Sequence, residues 1–312
     1  MTIHATANTK DDSTIACVSL FPSMLENSTV KLGYRPQAAD TSIEADIYLF
    51  NRLRQLSLKQ RVEIAATHDR GVRKLCLAGI KWRLKSVPIE EIRLVFAHAV
   101  LAEKFHPDFK PTGVDEKMWI QDSIALAGEL HQLLESINIL YYVSGGVASS
   151  IHGEARSTRD LDLVVQIQVS QVDQLVAILE AASFYCPVGA VEDLRLGRNR
   201  MLNITHTETI ANADLYVMDN SPFASSQMSR RRLLDMEGIP RFWIASPEDT
   251  ILQKLLWGRG SESDKQWRDV LGILKLQPAS LDYGYLTEWA KRLSLFDALS
   301  QAFTEGGVGS GE

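Results

Sequence analysis

Between residues 42 and 105 the hydrophobic positions recur every three or four residues, which is the spacing that buries one face of a helix. Ser57 and Ser86 interrupt this pattern with side chains that commonly cap helices, so the stretch predicts three helices. Gly71 and Gly79 lie inside the second helix and disfavour one unbroken element. The buried face of the second helix is predicted to consist of Val62, Ala65, Ala66, Val72, Leu75 and Ala78.

After residue 117 short apolar runs, typical of strands, alternate with amphipathic stretches, typical of helices. The predicted strands are 139–143, 161–167, 200–205, 212–218 and 240–244. The predicted helices are 118–137, 147–152, 169–184, 246–257, 264–275 and 283–300. This order of elements indicates an α/β or α+β unit at about 116–300. The opening residues, 1–41, are polar and predict irregular or disordered chain with one short strand at 15–20.

The composition is that of an ordinary globular protein, with 45% hydrophobic and 23% charged residues, 19 Gly and 10 Pro. These values exclude collagen-like, mucin-like and wholly disordered chains. A net charge of −6 and a pI near 5.7 argue against a globally basic nucleic-acid-binding protein. Residues 42–105 depart from this average, because twelve Lys and Arg against seven Asp and Glu leave an excess of five positive charges.

Three widely spaced cysteines, Cys17, Cys76 and Cys186, predict neither a metal site nor a disulfide framework. We interpret them as thiols of a reducing compartment and expect a cytoplasmic protein. The first residues lack the basic start of a signal peptide, and no run approaches the roughly 18 apolar residues of a membrane span. We therefore expect no membrane association.

Two acids, Asp160 and Asp162, lie at the start of a strongly apolar predicted strand. Because strand side chains alternate, both carboxylates are predicted on one face, while Leu161 and Leu163 point into the core. Like charges this close are costly without compensation, and a divalent cation would supply it. Oxygen ligands suit Mg²⁺ or Mn²⁺ better than zinc.

A glycine turn, Ser144-Gly145-Gly146, precedes the acid pair and joins a predicted strand to a predicted helix. Glycines allow the N–H groups at a helix start to approach a phosphate. Taken alone, such a turn is usually structural, and an acid pair is usually a solvated strand end. Because both occur here with thirteen residues between Gly146 and Asp160, they indicate a site for a metal-bound nucleoside triphosphate.

The joined segment, YYVSGGVASSIHGEARSTRDLDLVVQI at 141–167, resembles the signature of the DNA polymerase β-like nucleotidyltransferase superfamily. It is most similar to a branch of mostly uncharacterised bacterial proteins related to the nucleotidyltransferase toxins of abortive-infection toxin–antitoxin systems. The resemblance covers about residues 120–275. It implies an α+β fold, in which helices flank a nucleotidyltransferase-type mixed sheet, with a fused N-terminal helical domain and a C-terminal helical part.

With this resemblance the sequence divides into six parts. These are an irregular or disordered segment (1–41), a helical domain (42–105), a linker (106–116), a catalytic domain (117–245), its C-terminal helical part (246–304) and a flexible tail (305–312). The linker is marked by its Pro and Gly content.

The resemblance also implies a third carboxylate on a neighbouring strand, and Asp214 fits this position inside an apolar run. The plain alternative for Asp214 is an acid at a strand edge. Asp219 is a competitor, but the following Asn220, Ser221 and Pro222 place it in a turn.

A later lysine and a later acid are implied on two helices, and Lys254 and Asp269 match them. Lys254 would contact the triphosphate, and Asp269 would orient it or help to activate the acceptor. The alternatives are an exposed helix lysine and a surface ion pair between Asp269 and Lys265.

Arg156 and Thr158 alternate with the acid pair, so all four side chains would share one face if the strand began at Arg156. Arg156 would then either meet a phosphate or form a salt bridge with Asp160. His152 is interpreted as a packing or hydrogen-bonded histidine rather than a catalytic one.

The implied activity is metal-dependent transfer of a nucleoside monophosphate from a nucleoside triphosphate, with Mg²⁺ or Mn²⁺ held by Asp160, Asp162 and Asp214. The glycine turn would hold the triphosphate, and the acceptor hydroxyl could belong to a tRNA, a protein or a small molecule. The helical domain, 42–105, could be an RNA-contacting arm, an antitoxin-like regulator or a structural cap. The alternative function is a non-catalytic nucleotide-binding, regulatory or interaction module on the same fold, with an antitoxin-like partner as one form of regulation.

Overall fold

The computed structural model describes residues 32–259 and 263–308. The strand predicted at 15–20 lies outside these ranges. The helices are α1 (Ile43–Arg54), α2 (Leu58–Arg83), α3 (Ile89–Leu101), α4 (Glu116–Trp119), α5 (Ser123–Ser136), α6 (Gly145–His152), α7 (Val172–Ala181), α8 (Val188–Arg195), α9 (Pro222–Arg230), α10 (Pro247–Gly258), α11 (Asp264–Leu276), α12 (Tyr283–Arg292) and α13 (Phe296–Glu305). The strands are β1 (Leu140–Val143), β2 (Leu161–Gln166), β3 (Phe184–Tyr185), β4 (Met201–His206), β5 (Asn212–Val217), β6 (Arg232–Met236) and β7 (Ile239–Ile244).

Within the described ranges the strands form one seven-stranded sheet in the order β3-β4-β5-β2-β1-β7-β6. Strand β2 is antiparallel to β1 but parallel to β5, and β1 is parallel to β7. The sheet is therefore mixed, and the predicted α+β class is confirmed, with helical N- and C-terminal parts. Among the helices described, none is long and apolar enough to cross a membrane.

Helix α2 joins the core of the sheet through helices α5 and α6. Val62 and Ala66 of α2 belong to the same hydrophobic cluster as Leu161 and Leu163 of β2. A second cluster joins helices α9 to α13, and a third joins α2 and α3 to the chain around Trp119. Burial of apolar surface stabilises all three clusters.

Helix α2 differs from its prediction in two ways. It is unbroken in spite of Gly71 and Gly79, although it begins after Ser57 as predicted, with a capping box formed by Ser57 and Gln60. Val72 and Leu75, predicted to be buried, are 53% and 76% exposed. Val62, Ala65 and Ala66 are buried as predicted, but from there the buried stripe passes through Asp69 to Leu77 and Ile80, so the prediction is wrong for the second half of the helix.

Two other boundaries were predicted wrongly. Ser86 has a φ of 65° and does not cap α3, whose first residue follows Pro88. The single helix predicted at 118–137 is two helices, because the Asp122 side chain accepts hydrogen bonds from Ile124 and Ala125 and starts a new one. In addition, the single helix predicted at 283–300 is two helices, α12 and α13, and the elements β3, β6, α8 and α9 were not predicted.

His152 is fully buried at the end of α6, where its Nε2 lies 2.8 Å from the carbonyl oxygen of Ala245. Burial lowers the pKa of His152 from 6.5 to about 4. Protonation therefore favours the unfolded chain, and stability should be lost as the pH falls from about 6.5 towards 4, by about 3 kcal/mol in total. Urea unfolding across this window should show a smaller loss for His152→Gln. An equal loss in both proteins would assign the acid sensitivity to other groups.

Candidate active site

Three carboxylates lie together on two neighbouring strands. Asp162 of β2 is paired directly with Asp214 of β5 across the parallel ladder. Asp160 immediately precedes β2, and the intervening Leu161 is fully buried. The three acids predicted from the sequence are therefore neighbours in the fold.

A lysine that no sequence pattern identifies lies among these acids. Lys104 Nζ is 2.7 Å from Asp160 Oδ2 and 2.6 Å from Asp214 Oδ2. Burial alone would lower the pKa of Lys104, but its hydrogen bonds to the two carboxylates raise it, so the side chain is cationic at neutral pH. A lysine just after a helix ordinarily complements the helix dipole, and therefore no local pattern identifies this one.

The glycine turn between β1 and α6 packs against Asp162. Gly146 N–H donates to Asp162 Oδ2 at 3.4 Å, and Ser144 N–H donates to the Asp162 carbonyl oxygen at 2.8 Å. Gly145 has a φ of +59°, and a Cβ there would lie 1.8 Å from Asp162 Oδ2. The turn therefore needs glycine at this position to accommodate the carboxylate. Burial, followed by the charge of Asp214, raises the pKa of Asp162.

The Oδ1 atoms of Asp214 and Asp160 differ in their hydrogen-bond partners. Asp214 Oδ1 accepts a hydrogen bond from Asn203 Nδ2 at 2.7 Å. Asp160 Oδ1 is buried and has no hydrogen-bond partner. Buried oxygens are rarely left in this state, and a cation is one of the partners that satisfies them.

A second charged cluster lies beside the acids. Arg156 Nε and Nη2 each donate to an Asp269 oxygen at 2.7 Å, and Lys254 Nζ is 2.8 Å from Asp269 Oδ2. The side chains of Lys254 and Asp269 are each 4% exposed. Burial alone would raise the pKa of Asp269, but the two cations lower it. Lys254 is thus not an exposed lysine, and Asp269 is not paired with Lys265 on the surface.

The loop before β2 is held by a residue of α2. Asp69 is buried and accepts hydrogen bonds from Thr158 N–H, at 2.9 Å, and from the Ser123 hydroxyl. Thr158 Oγ1 donates to the carbonyl oxygen of Asp160 at 3.1 Å. The strand does not begin at Arg156, because this loop bonds to α2 instead of extending the sheet, so the condition for a shared strand face is not met. Arg156 forms its salt bridge with Asp269 rather than with Asp160.

Asp160, Asp162, Gly146, Arg156, Thr158 and Lys254 border one cleft of about 1050 Å³, at the upper end of ligand-sized cavities. Lys104, Asp214 and Asp269 lie behind this lining, where Lys104 contacts Asp160 and Asp214, and Asp269 contacts Arg156 and Lys254. Helices α2 and α3 form one wall, and α9 and α10 form the opposite wall. Its aromatic lining consists of Tyr142, Tyr216, Phe223 and Trp257. Asp219 also borders the cleft, in the predicted turn, where it accepts a hydrogen bond from Ser221 N–H at 2.8 Å.

Within the described ranges, no three His, Cys, Asp or Glu side chains are arranged as a ready metal-binding group. The ammonium of Lys104 lies between two of the acids, Asp160 and Asp214. The donor set is nevertheless made of carboxylate oxygens alone, including the unpartnered Asp160 Oδ1, and it fits a hard divalent cation.

No protein-family model matches the sequence, and no curated protein matches it significantly. Among solved structures, an antigenic nucleotidyltransferase-like protein from Paracoccidioides brasiliensis is 21% identical, with a TM-score of 0.40 over 60% of this chain and 93% of that one. The lincosamide antibiotic adenylyltransferase LnuA, with lincomycin bound, is 12% identical, with a TM-score of 0.35 over 53% of this chain and 100% of that one. Since a shared fold does not fix a shared reaction, the reaction is inferred from the site residues.

Proposed function

We propose that the protein is a metal-dependent nucleotidyltransferase, which transfers a nucleoside monophosphate from a nucleoside triphosphate to an acceptor hydroxyl. The observation that supports this most is that Asp160 and Asp162 line one cleft with the cations of Arg156 and Lys254, while Asp214 is paired with Asp162 on the neighbouring strand. Acids that hold a divalent ion next to cations that face a triphosphate form the combination that phosphoryl chemistry requires.

Asp160 and Asp162 would hold Mg²⁺ or Mn²⁺ at the β- and γ-phosphates, and Asp214 would extend the metal-binding set towards the acceptor. When bound, the metal would polarise the phosphate oxygens and stabilise charge on the attacking and leaving oxygens. The acids themselves would fix where the triphosphate lies relative to the acceptor, which supplies much of the catalysis in such reactions.

The remaining roles follow from position. Lys254 and Arg156 carry two positive charges against the one negative charge of Asp269, so the cluster keeps one net positive charge for the triphosphate. Asp214 would accept the proton of the acceptor hydroxyl. The hydroxyl oxygen would then bond to the α-phosphorus, the bond to the bridging oxygen would break, and pyrophosphate would leave. The N–H groups at the start of α6, beginning with Gly146, whose N–H points at Asp162, would lie beside this path.

For the acceptor we propose an RNA end as the first class to test. The wall formed by α2 and α3 belongs to the stretch 42–105, which carries five excess positive charges. The charged residues of α2 and α3 that line the cleft are one acid, Asp69, and one base, Arg73, so the excess lies elsewhere on the stretch. It would attract a polyanion to the molecule rather than to the carboxylates themselves. A protein hydroxyl and a small molecule are the other classes. A toxin-like role, with an antitoxin-like partner or regulation by the helices themselves, is proposed from the resemblance of the segment 141–167.

A second candidate is nucleotide binding without turnover. It is supported by one observation, the salt bridges by which Lys104 joins Asp160 to Asp214.

The full chain, incubated with α-labelled nucleoside triphosphates and bulk RNA or lysate, should release pyrophosphate and label an acceptor only when Mg²⁺ or Mn²⁺ is present. Chelation with EDTA should abolish both signals, because the acids would lose the ion that they share with the triphosphate. Nucleotide binding without pyrophosphate release would favour the second candidate. If the protein neither binds nor turns over any nucleotide, both candidates are wrong.

A further inference from the structure

We infer that Lys104 takes the place of the acceptor-side metal ion, so that the protein binds one divalent cation rather than two. This inference rests on the proposed function, which assigns the acids their roles. It makes Lys104 a positioning residue of the active site, contributed by the N-terminal helices.

The contacts of Lys104 are selective among the three acids. Its Nζ lies 2.7 Å from Asp160 Oδ2 and 2.6 Å from Asp214 Oδ2, and among the described residues these two acids, not Asp162, are its ion-pair partners. Asp214 is the acid that would serve only the acceptor side. A cation that binds Asp160 together with Asp214 therefore lies where an acceptor-side metal would lie. An ammonium has three N–H donors, so one is left to aim at an acceptor oxygen.

The placement of Lys104 is built into the fold. The single turn Ala102–Lys104 leaves the end of α3 through Ala102, which has a φ of 48°. The ring of Phe105 stacks on that of His98 at 3.6 Å between centroids. On the other side of Lys104, the Glu103 carboxylate lies 3.2 Å from the Arg159 guanidinium, next to Asp160. The side chain of Lys104 is 22% exposed, so it is held against Asp160, at the edge of the cleft, rather than free in solvent.

The oxygens that Lys104 leaves unpaired suit a single metal ion. Asp160 Oδ1 is buried without a partner, and Asp162 Oδ2 accepts only the long 3.4 Å hydrogen bond from Gly146. Both belong to the pair that would hold the ion at the β- and γ-phosphates. A second divalent ion on the acceptor side would have to displace the ammonium, because Lys104 already occupies the Oδ2 atoms of Asp160 and Asp214 that such an ion would bind.

The test counts Mn²⁺ ions by electron paramagnetic resonance and calorimetry, in the full chain saturated with a nucleoside triphosphate analogue that has a non-hydrolysable α,β bond. We expect one Mn²⁺ per chain for the natural protein and for Lys104→Arg, and two for Lys104→Met. Lys81→Met is the matched control, because Lys81 also forms an ion pair, with Glu116, but lies outside the cleft. This control should bind one ion.

Two Mn²⁺ ions in the natural protein would overturn the assignment of Lys104 while leaving the proposed function intact, and this count does not depend on any variant folding. One ion in Lys104→Met as well as in the natural protein would also overturn it. If the natural protein binds the analogue with no Mn²⁺ at all, the proposed metal-dependent function itself is wrong, and the assignment of Lys104 falls with it.

Discussion

Replacing Asp162 by asparagine should reduce nucleotide transfer by about 10²–10³-fold and should make the metal-free protein more stable. The loss is expected because the carboxylate would be a metal ligand beside the reacting phosphates. The gain is expected because burial and the charge of Asp214 raise the pKa of Asp162. Its charged form therefore costs stability above that raised pKa, and the cost disappears as the pH falls through it. Asparagine removes the cost with almost no change of shape.

Pyrophosphate release and thermal unfolding in EDTA at pH 7.5, roughly physiological and well above the ordinary Asp range, measure the two effects. Asp214→Asn should also be inactive. Asp219→Asn is the matched control, since Asp219 borders the same cleft but bonds to the Ser221 N–H in its turn. If Asp219→Asn is inactive while Asp214→Asn is active, the third metal-binding carboxylate is Asp219 and not Asp214. Full activity in Asp162→Asn would contradict the metal-binding role of the acid pair.

Replacing Asp269 by asparagine should destabilise the protein by about 3–5 kcal/mol. It should also weaken triphosphate binding, although the net positive charge rises, because Arg156 and Lys254 lose the carboxylate that holds both of them in place. The change leaves the cations of Arg156 and Lys254 side by side in a buried site without their shared anion. The two cations lower the pKa of Asp269, so the wild-type contribution is present at neutral pH and is lost only as the pH falls through that lowered value.

Urea unfolding and equilibrium binding of a triphosphate analogue would measure both consequences. Asp264→Asn is the matched control, because Asp264 is on the same helix but its side chain is 98% exposed. Adding Lys254→Met to Asp269→Asn should recover part of the lost stability, since it removes one of the unpaired charges. A stable Asp269→Asn protein would show that solvent, not Asp269, balances the two cations.

The strands at the centre of the sheet were predictable because they are short apolar runs. Strands β1 and β2 lie within one or two residues of their predicted bounds. The edge strand β6, Arg232–Met236, was missed because its exposed positions carry charge and its pattern is weak. Helix α9 was missed for a similar reason, since PFASSQMSR has few apolar residues.

The positions of the acids and of the later lysine could be singled out from spacing and resemblance, because each has its own local pattern. The partners of these residues were not found, since they depend on distant segments meeting. Asp69 and Thr158 are 89 residues apart in sequence, and Lys104 and Asp214 are 110 apart. No periodicity within one segment encodes such a pair. Arg156 shows the same limit, because its bond to Asp269 spans 113 residues and replaces the local contact that alternation suggested.

The hydrogen bond from Thr158 to Asp69 bears on how the polypeptide could be divided. The stretch 106–116 has the composition of a linker, yet the cleft is assembled from side chains on both sides of it. A shortened chain that begins after this stretch would contain the acid pair but would lack Asp69, the acceptor that holds the loop preceding it. The smallest unit that carries the complete cleft therefore starts no later than α2, and the linker is an internal connection of that unit rather than its border.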